Sequence, residues 1–156
     1  MRVLITGAAG QLGHDLVMTC EQAGDAVTAC DHAMLDVTNR GAVLGAVATV
    51  RPDVVIHAAA WTAVDACESD PERAFRNNAL AVRWVAEAGR RFGAHLVHIS
   101  TDYVFAGDRV GAYRESDETG PRSEYGRSKR AGEIEALTGA PGATVVRASW
   151  VCGRHG

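Results

Sequence analysis

The chain has no CxxC pair, no run of basic residues and no apolar stretch long enough to span a membrane. Its four cysteines, Cys20, Cys30, Cys67 and Cys152, are scattered. That scatter suggests neither a disulfide framework nor a zinc site, and reduced thiols in a cytoplasmic protein are expected. The six histidines also lack ligand spacing. His95 and His98 lie three apart on a strand-like run and project to opposite faces, so no metal site is expected. A net charge of −3 and a pI near 6 offer no basic surface to nucleic acid or to an anionic membrane. The opening "MRVLITGAAG" holds an apolar run too short for a signal peptide and is broken at once by glycine. Internal repeats and low-complexity tracts are lacking.

What is present is alternation. Residues 2–6 read as a buried strand, followed by glycines and an apolar-periodic helix over about 11–22. A second strand is expected over 26–30, a helix over 39–50 and a third strand over 53–59. A long helix is expected over 71–92, with Ser69 or Asp70 as cap and Pro71 in its first turn. A fourth strand over 95–100 leads into a long acidic, glycine-containing loop. Helix propensity returns over about 123–137, and a last strand covers 143–149. At 47% hydrophobic and 22% charged residues, 156 residues suit one globular domain. Strand–helix alternation with Val/Ile-rich strands predicts an α/β fold: a doubly wound parallel sheet in a Rossmann-like three-layer sandwich. Ligands of such sheets sit at the carboxyl ends of the strands. That rule selects residues 7–13, Asp31, 58–60, 100–103 and 149–150.

"TGAAGQLG" sets Gly7, Gly10 and Gly13 between the first strand and the first helix. Glycine permits the tight turn and close approach of a pyrophosphate, and the helix N-terminus supplies free N–H groups. The strand-to-helix context makes this a dinucleotide-binding signature rather than a bare glycine turn. Asp31 ends the second strand, where a carboxylate accepts hydrogen bonds from ribose hydroxyls and repels a 2′-phosphate. No Arg or Lys follows closely, so NADH suits the chain at least as well as NADPH. Asp36 and Val37, on the next loop, are expected to flank the adenine.

"RSEYGRSK" places Tyr125 four residues before Lys129, on one face of a helix. The pair is either an ordinary surface pair or a phenol whose pKa an ammonium lowers. Ser100, Thr101, Asp102 and Tyr103 leave the fourth strand at its carboxyl end, where a hydroxyl can hold a carbonyl oxygen beside the tyrosine.

"TGAAGQLG", "HAAAWTAVDACESDPERAFRNNALAV", "STDYVF" and "YGRSK" together resemble the extended short-chain dehydrogenase/reductases. More narrowly, the chain resembles the dTDP-4-dehydrorhamnose reductase family over nearly its whole length. The resemblance implies reduction of the 4-keto group of a dTDP-4-dehydro-6-deoxy sugar by NADH or NADPH. It implies Thr101, Tyr125 and Lys129 as the catalytic trio, with Tyr125 and Lys129 also at the cofactor. Gly7, Gly10, Gln11, Leu12 and Gly13 match the phosphate loop, Asp31 the ribose-contacting acid, and Ala58, Ala59 and Thr62 the cofactor lining. Asn78 matches a residue that braces the sheet, and Tyr103 and Trp150 match positions near the sugar nucleotide. For Trp150 a core aromatic at a strand end is the competing reading, and for Asp65 and Asp102 loop capping is preferred. Members of the family are nearly twice as long, so residues 1–156 are expected to be the cofactor domain, with the substrate-binding part absent or truncated. A fragment that only binds cofactor and a non-catalytic nucleotide-binding regulatory module are therefore alternatives. A dehydratase is disfavoured, because Asp102 is followed by Tyr103 and not by a second acid. A homodimer is among the assemblies the sequence allows.

Overall fold

Short β-branched runs pair in parallel here because each is followed by a helix that carries the chain back across the sheet. The computed structural model describes residues 1–153. In chain order the elements are β1 (Arg2–Thr6), α1 (Gln11–Gln22), β2 (Ala26–Cys30), α2 (Arg40–Val50) and β3 (Val54–His57). They continue with α3 (Val64–Ser69), α4 (Pro71–Phe75), a π-helical turn (Arg76–Leu80), α5 (Ala81–Phe92) and β4 (His95–Thr101). A 3₁₀ turn (Asp102–Val104), α6 (Glu124–Gly139) and β5 (Thr144–Ala148) complete the described chain. The sheet order is β2-β1-β3-β4-β5 and every pairing is parallel. The direction of winding reverses between β1 and β3, and a cleft opens at that switch point.

The pleat divides the core. Leu4, Val55 and Leu96 face one way, into a cluster with Val43 and Val47 of α2 and Val82 and Val85 of α5. Val3 and Ile5 face the other way, against Leu16, Val17 and Cys20 of α1. Asn39 caps α2 by accepting from the Ala42 amide at 3.1 Å. Asp70 caps α4 from the residue before Pro71, at 3.0 Å from the Arg73 amide. Among the described residues no helix is long and apolar enough to cross a membrane.

Three departures from the expected boundaries have physical causes. The strand expected over 53–59 ends at His57, because Ala58 and Ala59 swing against Gly7. Residues 64–69 form α3, a helix too short to show a period in the sequence. The helix expected over 71–92 keeps its path but widens into the π-helical turn at Arg76–Leu80. That turn carries the buried Asn78, whose bonds to Trp61 and Ser128 replace regular packing.

One rung of the sheet is polar. Thr6, His57 and His98 sit side by side on β1, β3 and β4, at 1%, 1% and 0% exposure. Thr6 Oγ1 and His57 Nδ1 share a 2.7 Å hydrogen bond, and the two imidazoles stack at 5.6 Å. Burial, and then the charge of Lys129, push His57 from its ordinary value near 6.5 down to about 3. The same two causes, in that order, push His98 well down. Both rings are therefore neutral when folded, and below pH 6.5 the unfolded chain binds more protons than the folded one. Their contribution to stability is complete above about pH 6.5 and is lost as pH falls toward 3. In a His98→Phe variant the slope of unfolding free energy against pH, between 6.5 and 4, is expected to fall by up to about 1.4 kcal/mol per pH unit. Urea titrations followed by far-UV circular dichroism measure it, and an unaltered slope would exclude His98 from the acid sensitivity.

Candidate active site

The turn after β1 is closed so tightly that side chains have no room. Gly7 has φ +72°, and a Cβ built on it would lie 2.6 Å from the Ala59 amide nitrogen. A Cβ on Gly13 would lie 2.1 Å from the Gly7 carbonyl oxygen. The loop thus packs backbone on backbone across the switch point and leads straight into α1. Gly10 caps that helix without a side-chain hydrogen bond, so its first N–H groups face the cleft undressed.

Two lobes of a cleft meet at this loop. The larger, about 460 Å³, is lined by Gly7, Gly10, Gln11, Leu12, Gly13, Ala58 and Thr62 on one side. Thr101, Tyr103, Tyr125, Lys129 and Trp150 line the other side. The smaller, about 390 Å³, runs past Gly7, Gly10, Ala58 and Ala59 to Asp31 and Val37. Residues from five strand tips and α6 are thereby brought to one groove. Asp36 stands apart: its Oδ1 accepts from the Thr38 amide at 2.9 Å and the Thr38 hydroxyl at 2.7 Å. Those bonds hold its carboxyl below the ordinary range, and it is absent from both linings. It stabilises the loop that carries Val37. One oxygen of Asp31 accepts from the Met34 amide at 2.8 Å, which fixes the carboxylate at the lobe's rim.

Tyr125 and Lys129 are not a surface pair. They are 8% and 3% exposed, on the face of α6 that meets β4. Lys129 Nζ donates to the carbonyl of Ile99 at 2.7 Å. Burial lowers its ordinary value of 10.5 to about 8, with Glu133 opposing. Tyr125 behaves otherwise than the spacing suggested. Burial raises its phenol, the Thr101 hydroxyl opposes that rise, and the ammonium does not enter the balance. The expectation of a lysine-acidified phenol therefore fails for this arrangement, because Nζ turns to the β4 backbone. Thr101 is 6% exposed and ends β4; its Oγ1 accepts from the Tyr103 amide at 3.2 Å and donates to Asp102 Oδ1 at 3.2 Å. Asp102 Oδ2 in turn accepts from the Ser149 hydroxyl at 2.7 Å, tying β4 to the end of β5.

Tyr103 is 49% exposed and meets Tyr125 edge-on at 5.7 Å. Trp150 is 94% exposed at φ 49°, so it is no core aromatic and stands at the mouth of the larger lobe. Asn78 is 1% exposed and binds both ends of the Trp61 peptide group: Oδ1 accepts from its amide at 2.8 Å, and Nδ2 donates to its carbonyl at 2.9 Å. Nδ2 also donates to Ser128 Oγ at 3.0 Å, which joins the loop after β3 to α6.

Sequence reasoning passed over Glu133 and Arg147, and named Ser100 only as a strand-tip hydroxyl. The three are hydrogen-bonded together, with Glu133 one turn after Lys129 on the buried face of α6. The signal was available: Tyr125, Lys129 and Glu133 stand at intervals of four and share one helix face. A second signal also went unused. Lys129 is the sole lysine of the sequence, against fifteen arginines.

A parallel sheet wound around a glycine turn, with hydroxyl, phenol and ammonium at the tips, has the nucleotide-binding architecture of the Rossmann-like reductases and epimerases. The chain belongs to the family described as the RmlD substrate binding domain, whose family model matches residues 1–156. It is 50% identical to a probable dTDP-4,6-dihydroxy-2-methyloxan-3-one 4-ketoreductase from Streptomyces antibioticus, over 100% of this chain and 53% of that protein. It is 47% identical to a dTDP-4-dehydrorhamnose reductase from Streptomyces griseus, over 99% of this chain and 51% of that protein. Among solved structures, a dTDP-4-dehydrorhamnose reductase from Bacillus anthracis in complex with NADP superposes with a TM-score of 0.96. That match has 42% identity and covers 99% of this chain and 55% of that one. The chain spans about half the length of the curated relatives it matches.

Asn78→Ala is expected to cost roughly 2–3 kcal/mol, since it strands the Trp61 amide and removes the Nδ2 bonds to the Trp61 carbonyl and to Ser128. Urea denaturation followed by tryptophan fluorescence checks this, and a loss under about 0.5 kcal/mol would remove the bracing role.

Proposed function

We propose that the chain carries the cofactor domain and acid–base group of an NAD(P)H-dependent reductase acting on the 4-keto group of a dTDP-4-dehydro-6-deoxy sugar. One observation carries the reading: Thr101, Tyr125 and Lys129 converge on the same cleft as the glycine turn. The residues fit a dinucleotide. A pyrophosphate needs backbone N–H groups without intruding Cβ atoms, and Gly7, Gly13 and the uncapped start of α1 supply that cradle. Asp31 and Val37 suit an adenosine in the smaller lobe. The NADP complex of the Bacillus anthracis relative supports the cofactor class, and the names of the Streptomyces relatives support the substrate class.

The bound nicotinamide supplies the hydride. The chain's own side chains manage the proton. Tyr125 is a neutral phenol at pH 7, because burial holds its acidity above the ordinary value near 10. A phenol so loaded can donate to the alkoxide that develops from the ketone. Thr101 orients that oxygen and then steadies the phenolate. Lys129 lines the same cleft, where its ammonium would hydrogen-bond the nicotinamide ribose. Tyr103 and Trp150 stand where a sugar nucleotide would enter. A module that binds cofactor without turnover is the alternative that the same assay separates.

Cofactor binding is followed by nicotinamide fluorescence, and turnover by loss of nicotinamide absorbance on adding the dTDP-4-dehydro-6-deoxy sugar. Tyr125→Phe is expected to lower turnover by roughly 100-fold or more and leave cofactor affinity within about twofold. Full activity in that variant would end the proton-donor role, and binding without turnover in the unaltered chain would favour the module. Asp31→Ala is expected to weaken NADH more than NADPH, since it removes a ribose acceptor and also a repulsion of the 2′-phosphate. Equal weakening of both would dismiss the ribose contact.

A further inference from the structure

The face of α6 below the cleft buries a charged group that the proton chemistry above leaves unused. Glu133 is 1% exposed, two turns after Tyr125 and one after Lys129. It accepts four hydrogen bonds. Ser100 Oγ donates to Oε1 at 2.6 Å and Arg147 Nε to Oε1 at 2.8 Å. Arg147 Nη2 donates to Oε2 at 2.8 Å and Arg130 Nη1 to Oε2 at 3.0 Å. These bonds hold the carboxyl below the ordinary range against its burial, so it is ionised at neutral pH.

A buried ion pair of this kind is poor value as a fold stabiliser. Desolvating both partners costs several kcal/mol, and apolar side chains of similar volume commonly do as well or better. Its position suggests another use. Among the described residues, the one hydrogen-bond partner of Lys129 is the neutral Ile99 carbonyl. The ammonium is coupled to His57 on β3, His98 on β4 and Glu133 on α6. Both imidazoles are neutral. Arg147 on β5 and Arg130 on α6 turn their guanidinium groups to Glu133. Among the buried residues of α6 Glu133 is the one acid, a single turn after Lys129, and its charge opposes the effect of burial on the ammonium.

We propose that Glu133 is a positioning residue that keeps the Lys129 ammonium charged beneath the cleft, while Ser100 and Arg147 lock that carboxylate to β4 and β5. The proposal rests on the reading of Lys129 as part of the reductase site. The choice of residue fits. An arginine would stay charged without help. Lysine is the cation that burial can discharge, and this chain uses it once, where a buried anion sits one turn away.

A single lysine makes the test direct. The full chain labelled at lysine ε-carbon gives one lysine signal, whose shift is followed against pH by NMR. The unaltered chain is expected to titrate near 8, as its burial implies. Glu133→Gln is expected to lower the midpoint by about one pH unit or more, a tenfold loss of proton affinity. Glu133→Asp is expected to restore most of that loss, and Ser100→Ala, which spares the charge, to move the midpoint little. Should Glu133→Gln fail to fold, the double variant Glu133→Gln with Arg147→Met removes the more buried of the two cations that lose the carboxylate and carries the same expectation. An unmoved midpoint in a folded variant would overturn the proposal whatever the turnover. A lowered midpoint in a chain that never reduces the sugar would uphold it and count against the reductase reading instead. In an active chain, the alkaline limb of the pH profile for kcat should move down together with the NMR midpoint.

Discussion

One helix face pressed on one strand end governs this molecule. Tyr125, Lys129 and Glu133 look inward from α6, and Ile99, Ser100 and Thr101 receive them at the tip of β4. A polar seam of that kind holds only if every charge finds a partner, since an unmet buried charge costs far more than a lost apolar contact. The remaining structure supplies those partners. β5 supplies Arg147, the π-helical turn supplies Asn78 to Ser128, and Gly132 removes the Cβ that would strike the Asn78 carbonyl at 2.1 Å. Thr6, His57 and His98 continue the polar layer across the sheet as neutral groups. The hydrophobic clusters on either side then seal the seam from water, and that exclusion strengthens each bond inside it.

The same seam explains what the sequence disclosed and what it withheld. β1, α1 and β2 were legible to the residue, because their Val, Ile and Leu follow the periods that burial imposes and glycines mark the turn between them. The long helical path over 71–92 was legible as a helix. Its π-helical turn was not, because the cause is a set of hydrogen bonds from Asn78 to groups seventeen and fifty residues away. The buried face of α6 was opaque to hydropathy for a plain reason: it is made of Tyr, Ser, Lys and Glu, residues that usually face water. Only the chemical spacing of Tyr125 and Lys129 marked it. Glu133 lay one step further along that spacing.

Asp36 shows the limit of reading a residue from its neighbours in sequence. It was assigned to the adenine from its place on the loop after β2, and Trp150 to the sugar nucleotide by resemblance. Asp36 spends its carboxylate on Thr38, as an Asp two residues before a threonine readily does. Trp150 leaves β5 in a left-handed conformation and stands exposed at the mouth of the larger lobe. Strand-tip position puts a residue near the cleft, but local backbone bonds decide whether its side chain enters.

Of the two titrations at the site, one runs in the useful direction and the other does not. Burial alone moves a phenol up and an ammonium down, because it disfavours charge in both. A rise in Tyr125 keeps the proton on the group that must give it away. A fall in Lys129 is harmful, for a neutral amine would bring no positive charge to the cleft it lines. The site therefore needs correction at one residue and not the other, and the two neighbours differ accordingly. Tyr125 has a hydroxyl beside it, which steadies the phenolate without fixing a charge in advance. Lys129 has a full carboxylate one turn along the helix, and that carboxylate is itself held ionised by two arginines and a serine. The expense of burying Glu133 and Arg147 is hard to justify by stability, but it follows once a lysine must stay charged where water cannot reach it.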